Sequence, residues 1–121
     1  MTINTFQLLE ALKQFTGTDQ YYRNPLFPKF RYTDGVKYLA EEAGAYWLLD
    51  TIFSENGCLP LSNHPFQVWK LNVAADNTAT ISVEDGNEEV LKRIKLHFTD
   101  FPLASIELWL VENILILPSE Y

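Results

Sequence analysis

Three groups of side chains in this chain are of types that do chemistry or recognition. They are a cysteine near a histidine, runs of carboxylates, and tyrosines interleaved with basic residues. Cys58 lies in "NGCLPL" with His64 downstream, a pairing in which a base could generate a thiolate nucleophile. No G-x-S-x-G elbow is present, and the stretch reads as an ordinary loop. His64 and His97 are remote in sequence and neither sits in H-E-x-x-H, so no metal site and no cofactor is expected. "EDGNEE" gathers Glu84, Asp85, Glu88 and Glu89 without the alternating ligands of a calcium loop. It reads as a hairpin turn bearing the densest negative patch, on which a basic protein surface could dock. Asp34 or Asp50 could serve acid–base catalysis if desolvated. Against that, Thr18-Asp19, Thr33-Asp34 and Thr99-Asp100 all stand where a turn or helix start is expected, and capping explains them. Tyr21, Tyr22 and Tyr32 lie beside Arg23, Lys29 and Arg31, the residue types that anchor interfaces. Tyr38, Trp47 and Trp69 are candidates for an aromatic pocket that would take a small molecule or nucleotide.

The elements that must position these groups follow from periodicity. Leu8, Leu9, Leu12 and Phe15 recur at helical spacing, which predicts a helix over 3–15, capped by Asn4 or Thr5 and stopped by Gly17. Asn24-Pro25 and Phe27-Pro28 make the next stretch irregular, and "KFRY" reads as a short strand or extended lead-in. Thr33 and Asp34 cap a second helix whose stripe is Val36, Leu39, Ala40 and Ala43. Gly44 breaks it, and a further helical segment with Trp47, Leu48, Leu49, Ile52 and Phe53 runs to Asn56-Gly57. From Phe66 the period changes to two. "FQVWKLNVA", "TATISVE", "VLKRIKLHF", "IELWLV" and "ILILP" read as successive strands, with Val90, Ile94, Leu96 and Phe98 inward on the third. The expected fold is α+β, with N-terminal helices packed on a four- to five-stranded antiparallel meander. It forms one domain over 1–121, mainly helical in 1–57 and sheet in 66–117. Trp69 and Leu71 face opposite to Phe66 and Val68, and Trp109 and Val111 face opposite to Leu108 and Leu110. The second apolar face needs a cover: a segment of the chain, a second copy in a homodimer, or another partner.

Composition bounds the partner. The chain has 121 residues, 47% hydrophobic and 14% aromatic, enough for a core without disulfides, which one cysteine could not form. No uninterrupted apolar run approaches the ~20 residues of a membrane span, and the start lacks a secretory signal, so a cytoplasmic protein with no membrane partner is expected. A net charge of −7 disfavours direct nucleic-acid binding; it either serves only to keep the chain in solution or faces a protein partner with a basic surface.

The segments "FTGTDQYYR" (15–23), "YTDGVKYLAEEAGAYWLLD" (32–50), "FQVWKL" (66–71), "DGN" (85–87), "FTDFPL" (98–103) and "ILPSEY" (116–121) add a resemblance. With them the chain resembles a family of small uncharacterised bacterial proteins classed as a domain of unknown function, often encoded on mobile elements. The resemblance implies no catalytic residues. It implies a mobile-element accessory protein, a context in which small acidic proteins inhibit nucleic-acid-processing host defence effectors such as CRISPR nucleases. The expected function is therefore non-enzymatic macromolecule binding. A nucleotide or small-molecule sponge and a carboxylate-dependent enzyme are the alternatives.

Overall fold

The computed structural model describes residues 5–57, 64–87 and 89–121. Among these residues the helices are α1 (Thr5–Leu12), α2 (Asp34–Glu42) and α3 (Tyr46–Glu55). The strands are β1 (Tyr21–Arg23), β2 (Arg31–Thr33), β3 (Phe66–Val73), β4 (Ala79–Glu84), β5 (Val90–Leu96), β6 (Ser105–Val111) and β7 (Ile114–Ile116). A 3-10 turn at Pro118–Glu120 follows.

The two ends of α2 obey the capping chemistry expected of them. Thr33 is extended, and its hydroxyl accepts the Val36 amide at the start of α2. Gly44, at φ +62°, ends α2, and the Ala45 amide returns to the Ala40 carbonyl at 2.8 Å. That is a Schellman closure, with the buried methyl groups of Ala40 and Ala45 inside it. The first helix is shorter than expected: it ends at Leu12, where three-residue turn bonds from Gln14 to Ala11 and Phe15 to Leu12 replace the helical ladder, so Gly17 is not its stop. The forecast for residues 3 and 4, Asn4 as cap included, lies outside the described residues. Thr5 donates its hydroxyl to the Pro102 carbonyl.

The sheet corrects the expectation of a four- to five-stranded antiparallel meander. It has seven strands in the order β1-β2-β7-β6-β3-β4-β5, and it is mixed, because β2 and β7 run parallel. Two physical reasons account for this. First, Pro25 and Pro28 do forbid helix, but they interrupt only a loop. Asn24 Oδ1 accepts the amides of Leu26 and Phe27 at 2.9 Å each, and the triplets on either side pair as β1 and β2. Second, β6 does not continue from β5. It crosses back to pair with β3, which places β6-β3-β4-β5 in Greek-key order. The link between β5 and β6 is held to the β3–β4 turn by the Thr99 amide on the Asn77 carbonyl at 2.8 Å.

Register divides the sheet into two faces. On one, Trp69, Leu71, Ile81, Val83, Leu108, Leu110 and Leu115 are buried with Val36, Leu39, Leu49, Ile52 and Phe53 of the helices. Each such side chain contributes about 1.5–3 kcal/mol when fully buried. Ile94 and Leu96 point inward as expected, but Val90 does not. A bulge between Val83 and Glu84 shifts the register and sets Val90 opposite Glu84, whose neighbours lie on the other face. Phe98 also differs, lying past the end of β5 and exposed.

Candidate functional site

The question of what covers Trp69 and Trp109 has two answers. Trp69 is 2% exposed, under the helices, with its indole N–H donated to Gln67 Oε1 at 2.9 Å. Trp109 lies on the opposite face, which carries none of the helices' buried stripe. There Phe66 and Tyr121 pack on it, with ring centroids 5.5 and 5.3 Å away. Tyr121 meets Phe66 edge-on at 6.2 Å and remains 73% exposed. Pairing places Val68, Ile114 and Ile116 around this trio.

Tyr121 is held there by the residue before it. Glu120 Oε1 accepts the Thr33 hydroxyl at 2.6 Å and the Leu117 amide at 2.9 Å, and Oε2 accepts the Gly35 amide at 3.1 Å. A carboxylate thus sits on the first turn of α2, where unpaired amides and the helix dipole favour negative charge. Thr33 accepts from Val36 and donates to Glu120, so one threonine joins the helix start to residues 117–121. Asp34 extends the same polar cluster. Its carboxylate accepts the Asp19 amide at 2.9 Å and the Tyr22 hydroxyl at 2.8 Å, and its own amide donates to Thr18 Oγ1. These bonds, the Asp19 amide foremost, hold the Asp34 carboxyl below its usual value, and the Tyr22–Asp34 hydrogen bond raises the Tyr22 phenol. The pieces 15–23, 32–50 and 116–121 therefore meet in space through hydrogen bonds.

The expected anchors separate. Tyr21 is exposed, but Tyr22 is half-buried and stacks on Tyr32, which is 8% exposed and part of the core. A strand of three residues alternates, so the middle tyrosine of β1 and of β2 points toward the helices. Tyr32 is therefore corrected from partner anchor to core residue. The acidic turn is also less free than its composition suggests. Glu84 is half-buried and pairs with Lys70 at 3.0 Å. Asp85 Oδ1 accepts the amides of Asn87 and Glu89, which lowers its pKa, and shapes the turn. Glu89 is exposed. Glu88 and Cys58 lie outside the described residues, as does any pairing of Cys58 with His64.

The candidate aromatic pocket of Tyr38, Trp47 and Trp69 is dispersed. Tyr38 packs on Phe15, Trp47 borders a shallow depression with Leu96 and Phe98, and Trp69 is in the core. A cleft of about 400 Å³ lies at one end of the sheet instead, between Lys29, Phe30, His64, Gln67, Glu112 and Asn113. Its floor is polar and internally bonded. Gln67 and Asn56 exchange amide hydrogen bonds at 2.7 and 3.1 Å, and they also bond to the carbonyls of His64 and Ile52. Ligand pockets of this size are mostly apolar, with few polar groups left to point at a guest. Glu112 and Asn113, at φ 48° and 72°, form the two-residue turn that closes β6 onto β7. The three Thr-Asp pairs behave as caps and turns: besides Thr33, Thr18 donates to the Gln20 carbonyl and Thr99 accepts the Phe101 amide. Among the described residues no group of three or more His, Cys, Asp or Glu is placed to hold a metal ion. No helix among them is long and apolar enough to cross a membrane.

These features define a two-layer α+β domain, with helices packed on one face of a mixed sheet and an aromatic cluster on the other. The chain belongs to the family of unknown function DUF6876, whose model matches residues 6–121. No curated protein and no solved structure matches it.

Proposed function

We propose that this is a non-enzymatic protein that binds another macromolecule through the open face of its sheet. The observation that supports this reading is the Phe66–Trp109–Tyr121 cluster, aromatic area left beside solvent on the face away from the helices. Aromatic side chains of this kind dominate binding energy at interfaces. The reading departs from the acidic turn as the docking surface, because Glu84 and Asp85 already have partners within the chain. Catalysis by Asp34 or Asp50 fits less well. Asp34 is bonded to Asp19 and Tyr22, and Asp50 accepts the Asn24 amide group at 3.0 Å. A mobile-element inhibitor of a nucleic-acid-processing defence effector would apply this face to the effector or to its nucleic acid.

Capture from a native-host lysate tests the reading. The baits are the wild-type protein, an Arg31→Glu/Arg93→Glu/Lys95→Glu variant, which reverses three cations that the strand register sets on the face of Trp109, and a Glu89→Lys variant, each checked for folding by circular dichroism. The wild type and Glu89→Lys should recover the same species, and the triple variant should lose them. Equal recovery by the triple variant would count against the open face.

A further inference from the structure

The chain is acidic overall, yet its charges are sorted by register. Arg23 pairs with Arg31 across β1 and β2, and Arg31 aligns with Ile114. Val68, paired with Trp109, shares its face with Lys70. That strand in turn aligns with Ser82 and Thr80, and these with Arg93 and Lys95. Arg23, Arg31, Lys70, Arg93 and Lys95 thus share the face of Trp109, and the acidic strand residues there are Glu84 and Glu107. Glu84 is paired with Lys70, and Glu107 accepts the Trp109 indole N–H at 2.7 Å. The helices hold the opposite sign: α2 and α3 carry Asp34, Glu41, Glu42, Asp50 and Glu55 against Lys37.

We propose that this face binds single-stranded nucleic acid; the proposal rests on the open face being the recognition surface. Arginines at one edge and Arg93 and Lys95 at the other flank the aromatic trio. Arg31 on β2 and Arg93 on β5 are five strand steps apart in the sheet order, about 24 Å at ~4.8 Å per step. That distance suits about four nucleotides, with bases on the rings and phosphates on the cations. A second copy fits worse, since it would bring like charges face to face. The helix-borne acids lie a layer away, and at physiological salt the screening length is about 8 Å, so they weaken the attraction without cancelling it.

The test is fluorescence anisotropy with labelled oligo-deoxythymidine and oligo-uridine dodecamers, with an oligo-glutamate peptide of equal charge for comparison. Both oligonucleotides should bind. With four phosphate contacts the affinity should fall about 50-fold between about 50 and about 200 mM salt. Tyr121→Ser should weaken binding about 5- to 100-fold through lost stacking. Arg31→Glu/Arg93→Glu/Lys95→Glu should abolish it with circular dichroism unchanged. Equal binding of the glutamate peptide would assign the face to acidic proteins and overturn the inference. No oligonucleotide binding, with lysate capture still dependent on the triple variant, overturns the inference and leaves the open-face reading standing. Capture that ignores the triple variant overturns both. So does a dimer, seen by sedimentation, that Tyr121→Ser dissociates.

Discussion

A Gly35→Ala substitution adds one carbon to the first turn of α2. At an unobstructed helical position that change stabilises a protein, by up to about 1 kcal/mol. At Gly35 the new carbon would stand 2.6 Å from Leu117 Cδ1, 2.8 Å from Glu120 Oε1 and 2.9 Å from Glu120 Cδ. Leu117 is buried and can retreat only by giving up part of its packing. Glu120 can swing aside only by releasing the Thr33 hydroxyl and the amides of Gly35 and Leu117. Overpacking of this kind costs about 1–3 kcal/mol. Set against the full propensity gain, the net loss is about 0–2 kcal/mol, a fall in Tm of up to roughly 8 °C for a chain of this size. Urea and thermal denaturation followed by far-ultraviolet circular dichroism measure it. A gain in stability would refute the clamp between residues 117–121 and α2, and with it the seat of Tyr121 over Trp109.

Other consequences can be checked on the same preparations. Thr33→Ala removes an N-cap that also donates to Glu120 and should cost about 1–2 kcal/mol in urea denaturation. Gln67→Leu strands the Trp69 indole N–H and Asn56 Oδ1 in the interior and should cost about 2–5 kcal/mol in urea denaturation, well above a volume-conserving swap. The Asp34 carboxyl is held below its usual 3.8, so it stabilises the fold above that pH and loses the contribution as pH falls through its folded value. Asp34→Asn should therefore lower stability at neutral pH and flatten the fall in Tm below about pH 4.

Much of the fold was legible because local rules and tertiary packing agree. Thr33 supplies a side-chain oxygen where α2 begins, Gly44 takes the positive φ that ends it, and the alternation from Phe66 to Leu96 marks one buried face. That the strands of Trp69 and Trp109 are apolar on both faces was legible too, but what covers each face was not. What escaped depends on pairing between distant segments. Three residues are too few to display a period, so β1 left no strand signal, β2 showed only as the short strand or extended lead-in "KFRY", and nothing local told Tyr32 from Tyr21. The parallel pairing of β2 with β7 joins segments about eighty residues apart. The bulge that turns Val90 over is a register event, invisible as long as β5 is read alone. The sorting of charge escaped for the same reason. A net charge of −7 describes the chain, whereas Arg31 and Arg93 come to share a surface only through five strand pairings.

The indole N–H signals in a nitrogen–proton correlation spectrum test the open face most directly, because the three tryptophans report from three places. Trp109 is on the open face, Trp69 in the core, and Trp47 on α3 beside Leu96. With the Trp109 signal assigned through Trp109→Phe, titration with the deoxythymidine dodecamer should move that signal and leave the other two in place. Movement of the Trp47 signal alone, or of none at saturating oligonucleotide, would contradict the account.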